Sequence, residues 1–213
     1  MTIVLISLLL LASCGNDPSG GFRLGGLGAA VKDAFGGPQP EPVAPVTRAE
    51  IAQSPVPLLQ VAIPSRGAEA ILVPAGRNAG VTTWATADGS TLALRGGVLV
   101  ASRGLGHDLM SAAVPTDSQI LAGQGRHSRS YYTLDGADRT VRHDFSCVLS
   151  RHEAPAIQIV DRLFPVHEVR ETCEGPTDGV VNRYWISREG RIVRSLQWLG
   201  TDVGFLQLTD LSA

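Results

Sequence analysis

Apolar and polar side chains alternate with period two along most of the chain, and clusters of Gly, Pro, Asn and Asp cut the alternation into short runs. Leu58 to Ile63, Ala70 to Val73, Val81 to Ala85, Thr91 to Arg95 and Val98 to Ser102 predict one series of strands. Ser130 to Leu134, Thr140 to Ser150, Ala156 to Asp161, Val166 to Cys173, Val181 to Ser187, Arg191 to Leu199 and Phe205 to Leu208 predict a second. Within Thr140 to Ser150 the alternation puts Val141, His143, Phe145, Cys147 and Leu149 on one face. Thr140, Arg142, Asp144, Ser146 and Ser150 fall on the other. Asp88-Gly89 and Glu189-Gly190 join neighbouring runs and supply the residues that a hairpin with positive φ needs. Thr47-Arg48-Ala49-Glu50 reads as a capping box, and Pro55 and Pro57 keep the helix that follows short. The fold expected is all-β, an antiparallel barrel-like or sandwich domain with a short N-terminal helix.

The first 46 residues follow another pattern. Ile3 to Ala12 is apolar apart from Ser7. A bilayer-spanning helix takes ~20 such residues, so this run is the length of a signal-peptide core. It ends in Leu11-Ala12-Ser13-Cys14, which resembles a bacterial lipobox, although Met1 to Ile6 carries no Lys or Arg. Small residues before the cysteine admit the strand to a peptidase cleft, and the Cys14 thiol then accepts the diacylglyceryl group. Two or more acyl chains, palmitate-like in length, anchor a protein stably where one does not. Gly15 follows the cysteine, rather than the Asp that retains enteric lipoproteins in the inner membrane, which favours the outer membrane. Residues 1–13 are therefore expected to be a signal peptide, 14–46 a lipidated, flexible Gly/Pro-rich tether, and 47–213 a single β-rich periplasmic domain. Within the tether, Leu24, Leu27, Val31 and Phe35 recur at helical spacing.

Composition narrows the classes. The 213 residues carry 18 basic and 20 acidic side chains, a net charge of −2, which gives no footprint for nucleic acid. A hydrophobic content of 44% excludes wholesale disorder, and 24 Gly with 13 Pro fit many turns better than long helices. Of the basic residues only Lys32 is a lysine. Three cysteines are present; with Cys14 taken by lipid, Cys147 and Cys173 remain as an even pair in an oxidising compartment, and a disulfide between them is expected.

Catalytic patterns are sparse. His107, His127, His143, His152 and His167 are not at metal-ligand spacing, and no P-loop, GxSxG elbow or complete GxGxxG is present. No catalytic residue, metal site or cofactor is expected. Trp84, Trp185 and Trp198 are candidates for stacking on sugar rings, although aromatics on strands more often belong to a core.

The most distinctive stretch runs from Thr82 to Leu109. It holds a Trp84-x-x-x-Asp88-Gly89 hairpin, Leu92-Ala93-Leu94-Arg95, an apolar strand, and then Arg103-Gly104-Leu105-Gly106-x-Asp108-Leu109. With the Tyr184-Trp185-Ile186 to Gln197-Trp198 hairpin and the lipobox, the chain from about Thr47 to its end resembles the YjbF/GfcB family of capsule and exopolysaccharide lipoproteins. The resemblance implies a barrel-like lipoprotein of the outer membrane, facing the periplasm, without enzymatic activity. It also implies a non-catalytic accessory role in polysaccharide production and export, with an outer-membrane β-barrel and other export proteins as partners. The alternative is a periplasmic module that binds the polysaccharide itself; less favoured is a glycan-processing enzyme. The Arg103 to Leu109 loop reads two ways, as a structural corner tied by Asp108 to turn amides or to Arg103, or as a rigid loop shown to a partner.

Overall fold

The computed structural model describes residues 46–175 and 179–213. Cys14, the expected signal peptide, the expected tether up to residue 45 and its helical spacing of apolar residues lie outside them. Helix α1 (Arg48–Gln53) begins at the expected box, with the Thr47 amide donating to Glu50 at 2.7 Å, and ends before Pro55. Strands β1 (Leu59–Ile63), β2 (Ala68–Asn78), β3 (Val81–Ala85), β4 (Thr91–Arg95) and β5 (Val98–Arg103) form a meander. After β6 (Ser111–Ala113) comes a second helix, α2 (Asp117–Ala122), then β7 (Gln124–Leu134) and β8 (Thr140–Glu153). A separate hairpin, β9 (Ile157–Ile159) and β10 (Arg162–Phe164), precedes β11 (Val166–Glu174), β12 (Val180–Ser187), β13 (Ile192–Gly200) and β14 (Gly204–Asp210).

All strands except β9 and β10 join one antiparallel sheet in the order β5-β4-β3-β2-β1-β14-β13-β12-β11-β8-β7-β6. The first strand pairs with the last, Val61 opposite Leu208, and the two free edges belong to successive strands, β5 and β6. The sheet thus curls into a nearly closed barrel, the geometry that leaves least edge exposed. The alternation expected for β8 holds where it meets the core: Phe145, Cys147 and Leu149 are buried and Asp144, Ser146 and Val148 exposed.

Three apolar clusters fill the structure. The main one lies inside the sheet and joins Leu59, Val61, Leu92, Leu206 and Leu208 to Tyr131 and Phe145. A second seats Ile120 of α2 against Val98, Leu149, Val169 and Ile186. A third puts Ile51 of α1 with Ile159, Val193 and Leu211, so the helix and the β9–β10 hairpin share one apolar patch. Arg48 ties that hairpin down through the Ile159 carbonyl at 3.0 Å and Asp161 at 3.0 Å.

Four departures from the sequence expectation have visible causes. β2 continues to Asn78 because Pro74 falls at a bulge, where its missing N–H costs no ladder bond. Helix α2 has its own capping box, Thr116 with Gln119, and ends on left-handed Gly123. The segment from Ala156 to Asp161 is not one strand but the first arm and turn of the β9–β10 hairpin. β7 begins six residues before Ser130, through a run that is polar on both faces.

Candidate functional site

The Arg103 to Leu109 loop joins the two edge strands of the sheet. Gly104 and Gly106 both sit at φ 87°, and a side chain on Gly104 would come within 3.1 Å of the Ser90 backbone, so glycine is required there twice over. The Asp108 carboxylate accepts from the amides of Gly104 (2.8 Å) and Leu105 (3.2 Å) and from the Ser102 hydroxyl (2.8 Å). Ser102 Oγ in turn accepts from the Leu109 amide at 3.0 Å. Arg103 does not pair with Asp108; its guanidinium donates to the carbonyls of Ser102, Leu109 (3.0 Å) and Met110 (3.2 Å). Leu109 is fully buried, Leu105 packs on the core, and the Ser102 amide donates to the Leu109 carbonyl at 2.9 Å. The polar groups of the motif are thus directed into the loop itself, where they lock the seam of the barrel.

From further along the same wall, Gln197 of β13 reaches across to edge strand β5. It accepts from the Leu99 amide at 2.9 Å and donates to the Gly97 carbonyl at 2.8 Å, standing in for a missing strand. Asp108→Ala is expected to lower stability by about 1.5–3 kcal/mol, since two amides and a buried hydroxyl lose a charged acceptor. A urea midpoint unchanged from the wild type would show that the loop does not depend on it.

The three tryptophans do not form a row. Trp198 is 9% exposed and packs edge-on against Tyr131 (5.2 Å) and Phe145 (5.8 Å) in the core. Trp185 lies on a half-buried surface with the Arg183 guanidinium 4.9 Å from its ring centre. Trp84, half-buried against the core, lines a cavity at one end of the barrel that neither of the others reaches.

That cavity holds about 450 Å³ at the end where the β2–β3, β4–β5 and β12–β13 turns cluster. Trp84, Thr82 and Leu94 form one wall, Ser195 and Leu208 another, and Arg77, Asp117, Arg191 and Asp210 add charge. Arg191 is neutralised by Asp210 at 2.7 Å. Arg194 donates to the Thr209 hydroxyl (3.2 Å) and the Gln158 carbonyl (2.8 Å), both uncharged, and burial lowers its pKa.

Inside the barrel lies a polar cluster that the sequence reading missed. Glu171 is completely buried and takes four partners: His127 Nε2 (2.7 Å) and Arg129 Nε (2.9 Å) at one oxygen, Asn182 Nδ2 (2.8 Å) and Tyr184 OH (3.0 Å) at the other. Arg129, 1% exposed, also donates to the Tyr131 and Tyr184 hydroxyls at 2.6 and 3.2 Å. Burial alone would raise the Glu171 pKa, but Arg129 and the donors around it hold it down at about 2. Burial, reinforced by the Glu171 charge, pushes the Tyr184 hydroxyl well above its ordinary value, so it remains a neutral donor. His127, Cys147 and Glu171 present ligand-type atoms within 4.8 Å of one another. The Cys147 sulfur is committed to a bond with Cys173 and the Glu171 oxygens are filled, so the set does not suit a metal ion.

Two comparisons place the chain among known proteins. The family model described as group 4 capsule polysaccharide lipoprotein gfcB, YjbF matches residues 28–211. Among solved structures, the hypothetical lipoprotein YmcC from Escherichia coli (K12) superposes with a TM-score of 0.68 at 18% identity, covering 88% of this chain and 94% of that one, a likeness of fold. No curated protein matches.

Proposed function

Since the chain belongs to the group 4 capsule polysaccharide lipoprotein family (gfcB, YjbF), we propose that it acts as a lipid-anchored, non-catalytic accessory to capsule or exopolysaccharide export. In this reading Cys14 carries the lipid, and the tether holds the β-barrel domain at the periplasmic side of the outer membrane. Its direct partner is an outer-membrane export protein. The observation that carries the proposal is the family match over residues 28–211, which runs from within the tether to the end of the last strand.

The chemistry of the buried groups supports it. Glu168 and Glu171 are the buried carboxyls among the described residues. The first is held by Arg183 and Arg170, the second by Arg129, and both pKa values are lowered to about 2. Neither carries a proton to donate near neutral pH, which general-acid catalysis of glycoside cleavage requires of one carboxyl.

The test is secreted polymer in a strain lacking the gene, complemented by the wild type or by Cys14→Ala. Polymer output is expected to fall severalfold without the gene and to return only with the anchored form. Cys14→Ala should still yield a folded domain, released from the outer-membrane fraction. Unchanged polymer output in the deletion strain would remove the accessory role, and Cys14→Ala still sedimenting with the outer membrane would remove the anchor.

A further inference from the structure

The cavity beside Trp84 is built differently from the rest of the barrel interior. On β2 and β3, Arg77 stands directly opposite Thr82, so the two side chains share a face, and Trp84 is two residues further along that same face. The Trp84 ring is backed by the core, while Arg77 is exposed and has no hydrogen-bond or ion-pair partner among the described residues. Arg194 alternates with Ser195 along β13 and turns its guanidinium to the other face of the sheet, onto the Thr209 hydroxyl and the Gln158 carbonyl of β9. Asp117 is the remaining counter-charge once Arg191 and Asp210 have paired, and it is fixed close over Gly96, where a side chain would meet its Cγ at 2.7 Å. The lining therefore combines a supported aromatic face, hydroxyls from Thr82 and Ser195, and one guanidinium, that of Arg77, which no carboxylate pairs among the described residues.

A volume of about 450 Å³ is of the size that small-molecule sites use, and it suits one or two sugar rings. An aromatic wall offers stacking to the apolar face of a pyranose. An unpaired guanidinium favours a carboxylate, which it meets through two parallel N–H donors. We propose that this cavity binds an acidic sugar residue of a polysaccharide chain, its ring on Trp84 and its carboxylate toward Arg77. The inference rests on the export reading above for the identity of the polymer as partner, and on the cavity alone for its charge.

Binding is measured on the purified, full-length mature lipoprotein in detergent, by calorimetry. The probes are short oligogalacturonate and oligoglucuronate, with maltooligosaccharide of equal length as the neutral control. A uronate oligomer is expected to bind, more weakly as salt is raised, and the neutral chain at least tenfold more weakly. Arg77→Ala and Trp84→Ala should each weaken uronate binding about tenfold or more, and Trp84→Phe, which keeps an aromatic face, less than Trp84→Ala. Arg77→Ala removes an exposed, unpartnered side chain, so its urea midpoint should match the wild type and its binding loss will not reflect unfolding. Equal affinity for neutral and acidic chains, no uronate binding at about 10 mM, or an Arg77→Ala variant that binds normally would each overturn the proposal. Secretion separates the two readings. If deletion lowers polymer output and Arg77→Ala restores it fully, the cavity proposal fails while the accessory role stands. If uronate binds as expected and deletion leaves output unchanged, the accessory role fails and the cavity stands.

Discussion

Glu171→Leu is expected to destabilise the domain by about 3–5 kcal/mol, because it leaves the Arg129 guanidinium charged, 1% exposed and without a counter-ion. Removing one member of a buried pair strands the other in a medium that solvates it poorly. The double replacement Glu171→Leu with Arg129→Met takes both charges away and should recover much of that loss. Equilibrium unfolding in urea of the two single variants and the double one gives the coupling directly. A Glu171→Leu midpoint equal to the wild type would show that Arg129 finds other partners.

The same carboxyl makes the domain acid-sensitive. Its pKa is held at about 2 when folded against 4.5 in the unconstrained group. The unfolded chain therefore takes up this proton first, and the stabilisation is full above about pH 4.5 and is lost as the pH falls toward 2. Glu168 adds in the same direction: hydrogen bonds from Arg183, then Arg170, outweigh its burial and bring it to about 2. The wild type should lose stability steadily between about pH 5 and pH 3, and Glu171→Leu should show a shallower decline.

The second large effect is covalent. Cys147 on β8 and Cys173 on β11 face each other in register, with Cα atoms 4.0 Å apart, and their sulfurs are bonded across 26 residues of sequence. In the loop-entropy account a bridge of this span contributes ~3.5 kcal/mol, chiefly by restricting the unfolded chain. Cys147→Ser together with Cys173→Ser should lower the urea midpoint accordingly, as should reductant added to the unfolded wild type before refolding. Thiol titration of a native Cys14→Ala background should find no reactive group. Two titrating thiols there would rule the bridge out.

How far the fold was legible follows from what each strand uses as its inner face. β8 shows Phe145, Cys147 and Leu149 at every second position and β4 shows Leu92 and Leu94, so period two revealed them, while β5 stood out as a short apolar run, Val98-Leu99-Val100. The start of β7 hid because its inward positions are half-buried His127 and buried Arg129, whose partners come from β11 and β12, over 40 residues later. Nothing local distinguishes Gln124-Gly125-Arg126-His127-Ser128-Arg129 from a solvated loop. Gln197 hid for the same reason, since its partners lie on β5, 98 residues away. Helix α2 had a local signal in Thr116-Asp117-Ser118-Gln119, obscured by its six-residue length. Of the motif residues, the roles of Gly104, Gly106 and Asp108 were readable from turn chemistry, while the direction of Arg103, toward carbonyls and not toward Asp108, depended on packing. Trp84, Trp185 and Trp198 share a residue type but face three different surroundings, which only the register separates.

The pairing of β1 with β14 governs the order in which such a chain can be completed. A polypeptide delivered N-terminus first, from a ribosome or through a translocation pore, can lay down the β1 to β5 meander as it emerges. It cannot make the sheet continuous from that meander to the remaining strands until Gly204–Asp210 has arrived, because β14 is the stave between β1 and β13. Until then both halves present raw sheet edges, and loss of the final seven-residue strand would open a gap at mid-sheet. Closure of the sheet is therefore a step that follows delivery of the whole chain through β14.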